Sequence, residues 1–321
     1  MNRNSLGRLK AINWKSPIFS TVIAMLILIF AFTLMNPTFL TWDNFKSIFL
    51  NASIIGIFAA GVTMVIISGN IDLSTASTAA VAVMAFGLLY KLGVPTAVGV
   101  LAGLLAGALC GLINGLLIAK ARLFSMMVTI ANMLTYRALA YSFTDLQSVT
   151  VTDINFFAFG RMSVLGVPIS VFYMVVFFLI MSYVLGHTPF GRRVYAIGGS
   201  LQASYYCGIN IDRTIIQTFV VMGTISAFAG LVTAAQTAAA TPIIMNGREF
   251  DFISPCVIGG IAMSGGKGKI LGTFFGCILL AVVANGMVLV GLQSYWQNLV
   301  KGLILIFAMW VDALRNRQNL A

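Results

Sequence analysis

Apolar residues run in long blocks along this chain, with short polar interruptions between them. Blocks near 17–35, 51–69, 74–90, 95–119, 124–143, 169–186, 214–236, 252–264, 270–291 and 298–313 read as ten helical segments. Nine approach or exceed the length that crosses about 30 Å of hydrocarbon, roughly 20 residues at 1.5 Å each. The eighth, 252–264, is too short for a full crossing and is expected to be broken or re-entrant. The stretch 144–168 is polar and forms the longest connection on its side. The pattern predicts an all-α, polytopic membrane helical bundle of about ten spans, one transmembrane domain over 1–321.

Composition agrees. The chain is 60% hydrophobic and only 8% charged, against about 25% charged in soluble domains. Its net charge of +11 sits in the connections rather than in one basic patch. That is the positive-inside distribution and excludes a nucleic-acid partner in favour of membrane lipid. With the N-terminus inside, the inner segments hold Arg3, Arg8, Lys10, Lys15, Lys120, Arg122, Arg192, Arg193, Arg213, Lys267, Lys269, Arg315 and Arg317, which is 13 of the 19 Lys and Arg. Lys46, Lys91, Arg161 and Arg248 fall outside. An even span count then puts both termini in the cytoplasm, behind a basic leader (1–16) with no cleavable signal pattern.

Cys110, Cys256 and Cys277 lie in apolar runs, Cys207 in a connection, and His187 is the only histidine, so no metal-ligand spacing exists. No G-x-x-x-x-G-K-[ST] loop occurs: "SGGKGK" (264–269) has the wrong spacing to cradle phosphate. The chain is not expected to hydrolyse ATP or to act as an enzyme. Gly99, Gly103, Gly107, Gly111 and Gly115 recur every fourth residue, a stripe for close helix packing.

"MVIISGNIDLSTAS" (64–77) breaks two apolar blocks and places a carboxylate between them. Ser68, Asn70 and Ser74 are suited to capping the two helix ends, with Ser74 or Asp72 as N-cap of the second. Asp72 is either a turn cap or half of an ion pair. Arg137, inside the fifth block, either snorkels to the outer interface or lines a polar pathway. Lys301 reads as an interfacial anchor. "IISGNIDLSTAS" (66–77) is echoed by "AMSGGKGKILGT" (262–273), as duplicated transporter halves would leave. On the inner side, 187–213 is a long connection. There Gly198-Gly199 break the chain, and a short helix capped by Ser200 and ended by Gly208 and Asn210 follows, placed either for docking or for lying on lipid.

Three stretches carry a resemblance. "GVTMVIISGNIDLS" resembles the "GMTxVIxxGGIDLSVGS" of ribose-type sugar ABC-importer permeases. "TPFGRRVYAIGGSLQASYYCGINIDR" resembles their "TxxGRxxYAxGGNxxAAxxxGIxVxR", and "VIGGIAMSGGKGKILGTFFGCILL" their "VxGGTSLxGGxGxxxGTxxGAxxL". The likeness runs from about 17 to 312. Asn70 replaces a glycine of the family pattern, Thr75-Ala76-Ser77 replace VGS, Ser200 an Asn and Ser204 an Ala, which leaves the sugar open.

The resemblance implies a permease of the bacterial inner membrane that moves a monosaccharide or similar small polar solute by alternating access. It implies a second permease chain, identical or different, an ABC ATPase subunit that binds the ATP and Mg, and a periplasmic sugar-binding protein. Loops 36–50, 144–168 and 237–252 are the candidates for receiving the last. It assigns 187–213 to coupling with the ATPase, through Gly198, Gly199, Ser200, Ala203, Ser204, Gly208 and Asp212. The rival reading is an ion-coupled secondary transporter in which Asp72 and Arg137 form the coupling pair.

Overall fold

In the computed structural model the described residues are 17–318. The expected leader 1–16, with four of the inner basic residues, lies outside them. Thirteen α-helices follow in order: α1 Pro17–Met35, α2 Trp42–Ile67, α3 Thr75–Lys91, α4 Thr96–Ala119, α5 Ser125–Ser142, α6 Ile154–Arg161, α7 Ile169–His187, α8 Pro189–Gly199, α9 Leu201–Tyr206, α10 Ile211–Thr237, α11 Glu249–Ile258, α12 Ile270–Leu289 and α13 Ser294–Gln318. All ten apolar blocks become helices. Among the described residues six are long and apolar enough to cross a membrane: α1, α2, α4, α7, α10 and α12. The protein is a polytopic membrane helical bundle. At 10 residues α11 reaches about 15 Å, half the hydrocarbon thickness.

The centre of the bundle is α2. It is continuously buried from Ala52 to Ile67 and packs against α7, α10, α11 and α12. On one side α10 and α3 carry the core to α4 and α5; on the other α12 carries it to α1 and α13. Large apolar side chains face outward: Leu26, Ile27 and Phe30 on α1, Leu101, Leu105 and Leu109 on α4, Leu179 on α7, Leu303 and Ile306 on α13. An apolar exterior of this kind needs lipid as its solvent.

The glycine stripe explains how α4 is seated. A β-carbon on Gly107 would lie 2.5 Å from the Ala227 β-carbon, and those on Gly111 and Gly115 would strike the backbone of α10 at Phe219 and Ile216. Gly103 meets the Ala82 carbonyl of α3 at 2.8 Å in the same sense. Small residues let the backbones touch, and contact of that extent holds helices together where no hydrophobic drive exists.

The connections are more ordered than the sequence predicts. Within 144–168 stand α6 and two-residue strands β1 (Val149–Thr150), β2 (Ser163–Val164) and β3 (Val167–Pro168); β1 pairs antiparallel with β4 (Ala239–Ala240). Asp153 caps α6 and accepts a hydrogen bond from Thr96, and Arg161 Nε donates to the Gln236 carbonyl at 2.7 Å. Loops 144–168 and 237–252 are therefore laced together on the end of the bundle opposite the basic connections.

A second difference concerns 187–213. Gly198 and Gly199 do not break the chain: they form the last turn of α8, which Thr188 caps and Pro189 opens at a position where proline costs no hydrogen bond. Ser200 caps α9 by accepting from the Ala203 N–H at 3.2 Å. Gly208 ends α9, but Asn210 starts α10, its Oδ1 accepting from the Arg213 N–H at 2.9 Å.

Candidate functional site

Three segments meet at the basic end of the bundle. The first is the end of α2. The Gly69 N–H donates to the Ile66 carbonyl at 2.9 Å and the Asn70 N–H to the Val65 carbonyl at 3.2 Å, with Gly69 at φ +79°. This left-handed stop satisfies the last carbonyls of the helix. Ser68 Oγ donates to the Val65 carbonyl at 2.7 Å, and Asn70 Nδ2 reaches Ser68 Oγ at 3.0 Å.

The second segment is the end of α8, and the third is the turn from Ser264 to Lys269. The Gly266 N–H donates to the Ile67 carbonyl at 2.9 Å, which α2 leaves free at its last turn. A β-carbon on Gly198 would overlap that same carbonyl oxygen; one on Gly266 would lie 2.5 Å from the Gly199 Cα, and one on Gly265 2.8 Å from the Gly69 Cα. Only glycine lets three backbones cross here. Tyr195 Oη donates to the Gly268 carbonyl at 2.9 Å and fixes α8 to the turn. The two halves of the internal echo, 66–77 and 262–273, thus touch each other, with α8 wedged between.

A cavity of about 580 Å³ opens at this junction, lined by Ser68, Asn70, Gly198, Gly199, Ser200 and Ser264 among others. It gathers the helix-break residues Ser68 and Asn70 and, of the expected coupling residues, Gly198, Gly199 and Ser200. Beyond it α9 projects: Ser204 is buried, while Ala203, Tyr205 and Tyr206 are exposed, the tyrosines at 68% and 77%. A groove of about 430 Å³ runs beside them, edged by Leu201, Arg122 and Asp212. Asp212 bridges Lys120 at 3.2 Å and Arg122 at 3.3 Å, tying the α4–α5 turn to the start of α10.

Asp72 and Ser74 turn away from that cavity. Asp72 is 4% exposed. Its Oδ1 accepts from the Ser74 N–H at 2.9 Å and from Ser74 Oγ at 2.7 Å. Although Ser74 occupies the N-cap position, it makes no side-chain cap bond to α3, so the expected capping by Ser74 or Asp72 is replaced by a carboxylate-closed turn. Behind them runs a polar chain that sequence reading missed. Asn114 Nδ2 donates to Ser74 Oγ at 2.8 Å, and Asn132 Nδ2 and Tyr136 Oη donate to Asn114 Oδ1 at 2.6 and 3.2 Å. Its signal was present, because Asn132 and Tyr136 stand four apart, on one face of α5.

Arg137 is not brought to Asp72. Nor does it snorkel: it is 7% exposed, and its Nη1 donates to the Pro242 and Ile244 carbonyls at 2.9 Å each. It clamps the connection between β4 and α11. Lys301 Nζ lies 2.9 Å from Asp251 Oδ1 and so joins α13 to α11. Neither Asp72 nor Arg137 forms an ion pair among the described residues, which leaves an ion-coupling pair without a structural basis.

Among the described residues the chain is a bundle of crossing helices with a short helix, α9, exposed at its basic end. The family described as branched-chain amino acid transport system / permease component matches residues 44–309, and the chain belongs to it. It is 36% identical over 292 residues to the ribose import permease protein RbsC of Bacillus subtilis (strain 168), covering 90% of this chain and 91% of that one. It is 36% identical over 299 residues to the L-arabinose transport system permease protein AraH of Escherichia coli (strain K12), at 93% and 91% coverage. The probable ABC transporter permease protein YphD of the same strain is 36% identical over 298 residues, at 93% and 89%. The chain is a non-catalytic, multi-pass permease subunit of an ABC transporter, and ATP hydrolysis belongs to a separate subunit.

Proposed function

We propose that two such chains, identical or paired with a second permease, form the membrane path of a bacterial inner-membrane importer for a monosaccharide. The relatives named for ribose and L-arabinose favour a pentose. The observation that carries the mechanism is the glycine junction. A push on α9 passes into α8, and α8 bears directly on the last carbonyl of α2 and on the turn before α12. These two helices lie at the centre of the bundle, so a small displacement of the lever tilts the core. Contacts at packed backbones transmit such shifts because they do not deform smoothly.

In this reading the basic end is cytoplasmic and both termini lie there. The ten helices other than α6, α8 and α9 enter the membrane, α11 only part-way. The exposed face of α9 with Ala203, Tyr205 and Tyr206, and the groove beside Asp212, receive the ATPase, which binds the ATP and Mg. The laced loops at the opposite end receive the sugar-loaded binding protein. Asp72 closes the turn between α2 and α3 rather than carrying an ion.

The test is reconstitution of the chain in liposomes with its ATPase and binding protein, followed by uptake of labelled D-ribose and L-arabinose. Uptake of either should require ATP and all three components. Accumulation by the permease alone under an ion gradient would overturn the reading.

A further inference from the structure

At the end of the bundle away from the lever, a groove of about 600 Å³ lies between α4 and α6. Its polar residues stand where the two helices begin: Thr96 on α4, Asp153 and Asn155 on α6. Its apolar residues, Val100, Leu101, Phe156 and Phe159, follow along both helices. Leu101 is exposed and heads the outward row that continues in Leu105 and Leu109, so the apolar end of the groove opens toward lipid. The floor is held in place. Phe156 stacks on Phe86 with ring centres 4.5 Å apart, and Phe159 meets Tyr173 and Phe228 at 5.5 Å each.

The polar end carries a negative charge. Asp153 accepts from Thr96 Oγ1 and from the Asn155 N–H, the latter at 2.8 Å. The bond from Thr96 and then that from Asn155 hold its carboxyl below the usual range, so it is ionised. Thr96 and the N–H groups of Asn155 and Phe156 fill three of the carboxylate's positions, out of about four. No cation pairs with Asp153 among the described residues.

A groove that runs from a free anionic acceptor to an apolar, lipid-facing end suits an amphiphile with a cationic head. An acyl chain gains no hydrophobic drive by leaving lipid for such a groove, so the choice among lipids falls on the head. A primary ammonium can donate to Asp153 in a charge-assisted bond. A trimethylammonium has no N–H to donate, and a phosphoglycerol head has no cation.

We propose that this groove is a lipid site selective for a phospholipid with a primary ammonium head, its chain on Val100, Leu101, Phe156 and Phe159 and its ammonium on Asp153. The bound lipid braces α6 against α4 beneath the laced loops. The inference does not depend on which solute is carried.

The test is native mass spectrometry of the purified full-length chain in an equimolar mixture of dioleoyl phosphatidylethanolamine, phosphatidylcholine and phosphatidylglycerol. The ethanolamine lipid should be retained about two- to fivefold over each of the others, which is what an exposed ion pair supplies. Asp153→Asn keeps a capping side chain on α6 and should make the three lipids equal. Ala97→Trp, at an exposed position of the groove wall, should fill the seat of the chain and also remove the preference. Asp43→Asn, which removes a carboxylate paired with Lys46 on α2, should leave it intact. Elution profiles check that each variant is folded, and if Asp153→Asn is not, Ala97→Trp decides. Preference for phosphatidylglycerol, or a preference that survives either groove variant, would overturn the site. Equal retention by the wild-type chain, with binding-protein affinity lowered by Ala97→Trp, would overturn it in favour of a protein occupant.

Discussion

At the scale of single residues, two adjacent glycines make the sharpest contrast. A β-carbon on Gly199 meets nothing within 4 Å, whereas one on Gly198 overlaps the Ile67 carbonyl. Gly198→Ala should therefore cost about 1–3 kcal/mol, the usual penalty of overpacking a tight contact. Gly199→Ala should be nearly silent. Thermal unfolding in detergent and uptake in cells check both, and equal tolerance would dissolve the junction as described. Asp72 offers a second contrast. Its Oδ1 serves only as an acceptor for Ser74, and an amide oxygen accepts equally well. Asp72→Asn should keep uptake, while Asp72→Ala, which strands a buried N–H and hydroxyl, should lose about 1–3 kcal/mol of stability. Loss of uptake in the Asn variant would restore a charge-based role for Asp72. The sequence marked Ser68, Asn70, Asp72 and Ser74 as special because a polar break in an apolar run is visible in one dimension. It did not show that they part into two groups, one toward α8 and the other toward Asn114, because side-chain direction after a left-handed turn is a three-dimensional property.

Among the elements, α9 is the one whose exposed side has the least reason to exist for packing. Ala203→Arg places a bulky cation on its exposed face, and should abolish co-purification of the ATPase while membrane insertion and the elution profile of the permease stay normal. Retention of the ATPase at wild-type levels would move the docking surface elsewhere. The pairs Lys120–Asp212 and Arg122–Asp212 have largely exposed basic partners, and such bridges are worth about 0–1 kcal/mol. Asp212→Asn should accordingly shift the unfolding midpoint by no more than a degree or two in a chain of this size. The helices were legible where the apolar period was long. Helix α8 was not recognised because its last turn is Gly198-Gly199, and glycine is a poor helix former by propensity. Tertiary contact overrode it, since the crossing at Ile67 requires a residue without a side chain. The starting signal, Thr188 before Pro189, was in plain view and outweighed by those glycines.

For the whole molecule, the distribution of Lys and Arg makes one testable statement. A reporter fused after Ala321 should be active only as a cytoplasmic enzyme, and periplasmic activity would reverse the orientation of every connection. The ten apolar blocks and their order were readable because lipid demands long apolar runs, whereas α6 and α8, which lie in the connections, were not. The closeness of the two echo segments and the clamping of 242–244 by Arg137 were not, because both depend on neighbours more than 100 residues away in the chain. One more consequence comes from the stripe on α4. Where Gly107, Gly111 and Gly115 lie directly on α10, no layer of side chains remains to slide or repack. In the proposed cycle these two helices form a keel: they are carried together, and the rocking parts turn around them.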